Sequence, residues 1–358
     1  MLNYAQIETA LNTTFQEPIS DLVSRDNPTL RMIKKKAVAS DQIYLKFKGA
    51  SDHAAGPIVD GADITFAGTE RTTRQSAVLP FTTYAAKFSV AKRTLAQAAS
   101  NPGLLGRLLE DEVMDAAKDL ADRISLDIFG DGSVANTLVG LGAILDDANT
   151  YAGVDRSVGT NANWRGVVVD NQIAGPAAGE ISTQVLDSAD LAFFNANKYG
   201  LRDRSPQRRY MGMSAPGVLD RYAQLFTQID LTDLSTAHFV DQANDSGNLG
   251  LTSMAWQGIP IMRDAQNLAL TTDIAGSGRL YFLDLNRIYL ANLVPSSEAQ
   301  IHQIMGAQKA PTVDGLKFEI EILGNSGESV NGYVKTYLQL FTDAPKQAGV
   351  VVKNIAQS

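Results

Sequence analysis

The residues able to do chemistry are few and scattered. There are three histidines, His53, His238 and His302, and a catalytic or metal-bound imidazole needs a positioned partner. None lies within four residues of another, so each reads as a surface or partly buried imidazole without a role. Cysteine is absent, which excludes disulfides, thiolate nucleophiles and Cys-ligated zinc or iron–sulfur centres. Gly212-Met213-Ser214-Ala215-Pro216 approaches a nucleophile elbow but lacks the glycine two residues after the serine, so it reads as a turn. Gly140-Leu141-Gly142 lacks the third glycine and long following helix of a dinucleotide fingerprint, and no Walker A lysine motif is present. Ala243, between Asp241 and Asp245, breaks the calcium-loop pattern at its second ligand. No catalytic, cofactor-binding or metal-binding residue emerges.

Charge is patterned instead. Arg31 and Lys34-Lys35-Lys36 form a basic cluster without interleaved aromatics, while Glu110, Asp111, Glu112, Asp115, Asp119 and Asp122 crowd one later stretch. Carboxylates at that density mark a solvated or salt-bridged helix more readily than a metal site. The basic cluster reads as a solvated arm or a patch facing an acidic neighbour. The chain of 358 residues carries 31 Lys and Arg against 39 Asp and Glu, a net charge of −8. Residues 1–93 hold 12 basic and 9 acidic side chains, a net of +3, which leaves −11 for the remainder. A mildly basic front and an acidic body oppose general adhesion to nucleic acid or an anionic membrane. The apolar share of 44% and charged share of 20% suit a folded soluble protein. The N-terminus lacks the basic start and apolar core of a secretory signal, so the chain is expected to stay where it is made.

These charges need elements to position them. Tyr4, Ile7, Leu11 and Phe15 repeat with helical spacing over residues 3–15; beyond them, up to about residue 40, the chain is too irregular for one helix or strand. Ile43, Leu45 and Phe47 alternate with polar residues, as do Tyr84, Ala86, Phe88 and Val90, so two strands flank a long excursion from Gly49 to Pro80 with a candidate inner strand at 63–67. An N-cap at Asn101 with Pro102 opens a helix whose apolar residues recur as far as Phe129, where Gly130-Asp131-Gly132 ends it. A helix over 182–199, a strand over 209–213, a helix over 217–227 and single strands over 256–262 and 280–290 follow. Leu316, Phe318, Ile320 and Ile322, and then Val334, Thr336, Leu338 and Leu340, predict a long hairpin with one buried face.

This order resembles the tailed-bacteriophage major capsid proteins of the Hong Kong 97 type. The resemblance rests on Gly130-Asp131-Gly132 after the long helix, Gly140-Leu141, the run Tyr151-Ala152-Gly153-Val154-Asp155-Arg156 with Trp164, and Gly258-Ile259-Pro260 ahead of a second strand. It implies an α+β fold with an N-arm over 1–40, an E-loop over 41–92, and a peripheral domain over 93–165 whose spine helix covers about 102–129. The axial domain would span 166–297, the peripheral hairpin 298–345, and 346–358 would return as a strand to the axial domain.

The implied function is structural: copies associate as pentamers and hexamers into an icosahedral shell around packaged double-stranded DNA. That shell would be assembled in the host cytoplasm and located in the virion. Its partners would be further copies, portal and decoration proteins, a separate scaffolding protein or none, and DNA bound without sequence specificity; no membrane, cofactor or metal is implied. A forty-residue arm is too short for a fused scaffolding segment, so the full chain should persist in mature particles. Family members that crosslink do so through a loop lysine, whereas between Gly49 and Ala86 the basic residues are Arg71 and Arg74; the expectation is a non-covalent shell. Arg71 and Arg74 are the candidates to meet Glu110, Asp111 or Asp115 of a neighbour. Two alternatives stay open: an encapsulin-like cellular compartment, and a soluble α/β enzyme with an unrecognised site.

Overall fold

A computed structural model describes residues 28–51, 72–93, 102–174, 179–203, 209–229, 254–267, 270–271, 273–293, 312–313, 316–317, 319–326 and 329–357. The expected helix over 3–15, the inner strand at 63–67, all three histidines, Arg71 and the loop 241–250 lie outside these residues. No described helix is long and apolar enough to cross a membrane.

The described chain divides its strands between two large sheets. The first has five strands: β1 (Lys34–Val38), β4 (Thr82–Ala91), β10 (Ile288–Leu293), β13 (Glu319–Ser326) and β14 (Ser329–Thr342). β14 is the spine of this sheet, pairing antiparallel with β4, β10 and β13. Its residues from 331 to 338 alternate between partly exposed and buried, as expected of a sheet covered on one side. The cover is helix α2 (Pro102–Ile128), which buries Val113, Ala116, Ala117, Leu120, Ala121, Ile124 and Ile128 against Tyr84, Phe88, Val334 and Leu338. The predicted helix and hairpin are both present. The hairpin strands run further than predicted into the Gly-rich stretch, to Ser326 paired with Ser329.

The second sheet has six strands in the order β5 (Val168–Asp170), β15 (Gly349–Ala356), β9 (Ser277–Asp284), β6 (Tyr210–Ser214), β8 (Ile259–Arg263) and β7 (Met254–Trp256). Leu280 and Phe282 of β9 point into a core with Val185, Leu186 and Phe193 of helix α5 (Thr183–Asn197) and Val218 and Leu219 of helix α6 (Pro216–Ile229). The next residues round, Tyr281 and Leu283, face the other core, which they share with Phe129 at the end of α2. Both faces are therefore closed, and all eight residues of β9 are buried.

Three expectations need correction. Residues 280–290 are not one strand: Leu285–Arg287 form a turn, and the chain crosses there from the six-stranded sheet to the five-stranded one. Asp284 sets this turn by accepting from Asn286 N at 3.0 Å and Arg209 N at 3.3 Å. Residues 256–262 are likewise split, by Gln257 (φ 50°) and Gly258 (φ 83°), a two-residue hairpin turn with both φ values positive. Third, the end of the arm is ordered, as helix α1 (Pro28–Met32) and β1, which lies parallel to β10. The basic cluster is held within the chain. Lys34 Nζ donates to Asn286 Oδ1 (2.6 Å), Lys35 Nζ to Leu30 O (2.6 Å), and Lys36 Nζ sits 5.7 Å and 5.6 Å from the ring centres of Tyr289 and Phe341.

Candidate assembly interface

The part of the molecule least able to bury itself is a ribbon of two strands, β2 (Gln42–Ser51) and β3 (Thr72–Pro80). They pair antiparallel from Gln42 opposite Pro80 to Ser51 opposite Thr72. The other strand expected to flank the excursion, at 84–90, belongs to the five-stranded sheet. β3 lies in the stretch read as an excursion because its sequence, TTRQSAVLP, shows apolar alternation only at Ala77 and Leu79.

Period-two alternation makes the ribbon two-faced. Ile43, Leu45, Phe47, Ala77 and Leu79 are buried, while Tyr44, Lys46 and Lys48 are exposed, Tyr44 by 61%. Arg74 stands opposite Lys48 in the register. The outward face is thus basic and carries a free aromatic ring, and the inward face is apolar only near the root.

That root is built from the residues that carried the family resemblance. Phe47 stacks on Trp164 with ring centres 4.4 Å apart, and Tyr151 lies 5.7 Å beyond Trp164. Such pairs add about 0.5–1.5 kcal/mol each beyond their buried area. Val78 N donates to Ala152 O at 3.0 Å, tying β3 to the same run. Arg156 is fully buried with its guanidinium 4.6 Å from the Tyr151 ring centre. It donates to the carbonyls of Ala143 (2.8 Å), Ile144 (3.1 Å) and Asp146, closing the C-terminal end of the short helix α3 (Leu141–Ile144). Burial pushes this guanidinium down to about 10, opposed by Tyr151, Asp146 and Asp147, so it remains a cation at neutral pH.

The glycines of the run are steric necessities rather than a nucleotide cradle. A Cβ on Gly140 would stand 2.5 Å from the carbonyl oxygens of Asp127 and Ile128, at the end of α2. The same helix end is tied to β4, since Tyr84 OH donates to Asp127 Oδ2 (2.7 Å) and accepts from Leu138 N (2.9 Å). Burial, and then the contact with Asp127, raises the Tyr84 phenol above its ordinary value, partly offset by the Leu138 bond. The ribbon root, the helix end and the five-stranded sheet are one hydrogen-bonded block.

On the outer side of α2, Glu112, Asp115 and Asp119 are exposed at spacings of three and four, which places them in one stripe. Of the other residues singled out for subunit contact, Arg74 lies in β3 and Glu110 and Asp111 lie in α2. The serine of the elbow-like sequence, Ser214, is buried and donates to Ala215 O at 3.0 Å, which suits a strand end rather than a nucleophile. No group of three or more His, Asp or Glu among the described residues is placed to hold a metal ion.

No protein-family model and no curated protein matches the chain. Solved structures do. A chain of the cyanophage A-1(L) capsid asymmetric unit matches with a TM-score of 0.66 at 16% identity, over 92% of this chain and 93% of that one. A chain from the capsid of a native GTA particle gives 0.54 at 14% identity, over 93% and 91%. The holo-SrpI encapsulin complex from Synechococcus elongatus gives 0.51 at 11% identity, over 100% and 97%. Built on two sheets, a long helix and a projecting ribbon, the chain has the α+β fold of the Hong Kong 97-type capsid proteins.

Proposed function

We propose that this chain is the shell-forming subunit of a tailed-bacteriophage capsid, a structural protein without catalytic activity. The observation that carries the reading is the ribbon β2–β3, rooted in a rigid block and turning a basic, aromatic face away from its own chain. Exposed alternation of this kind is stable when another surface covers it. In this reading 1–40 is the N-arm, 41–92 the E-loop, 93–165 with 298–345 the peripheral domain, and 166–297 with 346–358 the axial domain. Copies gather into pentamers and hexamers and close around double-stranded DNA, with portal, decoration and scaffolding proteins as further partners.

Charge selects where a neighbour's ribbon lies. Lys46, Lys48 and Arg74 of one copy, joined by Arg71, meet the stripe Glu112, Asp115 and Asp119 of the next, with Glu110 and Asp111 beside it. The opposite side of the layer disfavours the ribbon, because Lys34, Lys36, Lys87 and Lys335 share the outer face of the five-stranded sheet by register.

Expression of the chain alone, followed by light scattering and negative-stain imaging, tests the proposal. Closed shells or rings of five and six subunits are expected. A monomer that stays monomeric with added salt and crowding agent would overturn it. Full-length similarity to an encapsulin supports a second reading with the same shell, and protein cargo in place of DNA inside particles from the native host would select it.

A further inference from the structure

Residues 28–38 form a strap from one sheet to the other. At its start Pro28, Thr29 and Leu30 are buried, and α1 packs on α2. Thr29 Oγ1 donates to Oδ2 of Asp264, immediately after β8, and lies 3.6 Å from Met213 Sδ in β6. Both side chains are sealed from solvent, Thr29 at 0% and Asp264 at 1% exposure. The second carboxylate oxygen of Asp264 accepts from Gln266 N at 2.9 Å. At its other end the strap becomes β1, five residues paired with β10 from Lys34 opposite Tyr289 to Val38 opposite Leu293.

The two ends differ in what they can hold alone. β1 is short, parallel and rich in lysine, and a parallel edge strand of five residues is marginal by itself. The Thr29–Asp264 bond is buried, and a buried carboxylate oxygen left without its donor costs more than the bond gains. We infer that Thr29 and Asp264 are a positioning pair, a pin that keeps the strap docked across the two sheets. The inference concerns contacts within one copy, so it stands or falls independently of the shell reading.

Hydrogen exchange on the unassembled chain tests it. Thr29→Val keeps the shape and removes the donor; Thr29→Ser keeps the donor. The Val variant should exchange the β1 amides that pair with β10 about tenfold faster, the change expected for loss of one hydrogen bond to a charged group. The Ser variant should stay near the native rate, and β9 should be unchanged in both. Adding Asp264→Asn to Thr29→Val should bring no further acceleration, because the two act through one bond. If Thr29→Val does not fold, Thr29→Ala, which removes the same donor with less bulk, is read by the same amides. Native β1 exchange in the folded Val variant, or equal loosening by Val and Ser, would overturn the pin.

Discussion

The six-stranded sheet and the five-stranded sheet are built from similar residues but end in different states of completion. β9, near the middle of the first, buries all eight of its residues between two cores. β4, in the second, alternates, and Thr83, Ala85, Lys87, Ser89 and Ala91 are exposed. The ribbon extends this one-sidedness, with Ile43, Leu45, Phe47, Ala77 and Leu79 seated on one face and Tyr44, Lys46 and Lys48 exposed on the other. One sheet is covered on both faces at β9; the other is a half-covered layer with a basic ribbon attached. The difference teaches that the free subunit and the assembled one should differ mainly in the second unit.

The largest effect expected from breaking this contrast is Trp164→Ala. It removes the ring on which Phe47 stacks and should cost about 4 kcal/mol, seen in denaturant unfolding, with faster exchange in β2 and β3 and little change in β9. Gly140→Ala follows, at about 3 kcal/mol, because the new Cβ meets backbone oxygens at 2.5 Å that cannot move without unwinding the end of α2. Tyr84→Phe should cost about 2 kcal/mol, since Asp127 and Leu138 N each lose a partner in a buried site; the phenol and its loss are read by the same unfolding curve.

Acid should act more gently, and on both units. Burial works to raise Asp146, but hydrogen bonds from Ala148 and Asn149 and the charge of Arg156 hold it below its ordinary value. Asp170, the last residue of β5 and paired with Lys353 of β15, is also lowered: burial opposes, and Asn354, Gln172 and Lys353 outweigh it. A carboxyl depressed in the folded state stabilises above its unfolded pKa and loses that contribution as pH falls through the folded value. The thermal midpoint should therefore hold from pH 7 to 5 and fall below about pH 4; a midpoint flat to pH 3 would remove both carboxylates from the account. Least of all should Lys46→Glu with Lys48→Glu alter the fold, by no more than about 0.5 kcal/mol. Yet that double variant should stop assembly in light scattering, and unaffected shells would sink the ribbon-to-stripe pairing.

Much of this was legible where one period ran without interruption. The helix from Pro102 to Ile128 announces itself through a proline in its first turn, a continuous apolar stripe and a Gly-Asp-Gly stop. The hairpin of β13 and β14 does so through strict alternation. Residues 280–290 misled because Leu280 to Leu290 is apolar on both faces, so periodicity could not reveal the turn at Leu285–Arg287 or the change of sheet. The arm's end and β3 were missed for the opposite reason: each has too few apolar residues to show a period, and each is held by distant partners, Asp264 and β10 for one, β2 for the other. At the candidate interface, the outward Tyr44, Lys46 and Lys48 could be read from alternation. The root could not, because Arg156 and Gly140 act through backbone carbonyls, which carry no side-chain signal, and Trp164 through Phe47, far away in sequence. The run Gly140-Leu141-Gly142, too incomplete for a nucleotide cradle, is a place where two backbones touch.

The most direct test of the contrast is hydrogen exchange compared between the free chain and the assembled particle. The account predicts strong new protection in β2, β3 and the outer stripe of α2, with β9 and β15 unchanged. Protection gained chiefly in the six-stranded sheet, with the ribbon still exchanging freely, would contradict it.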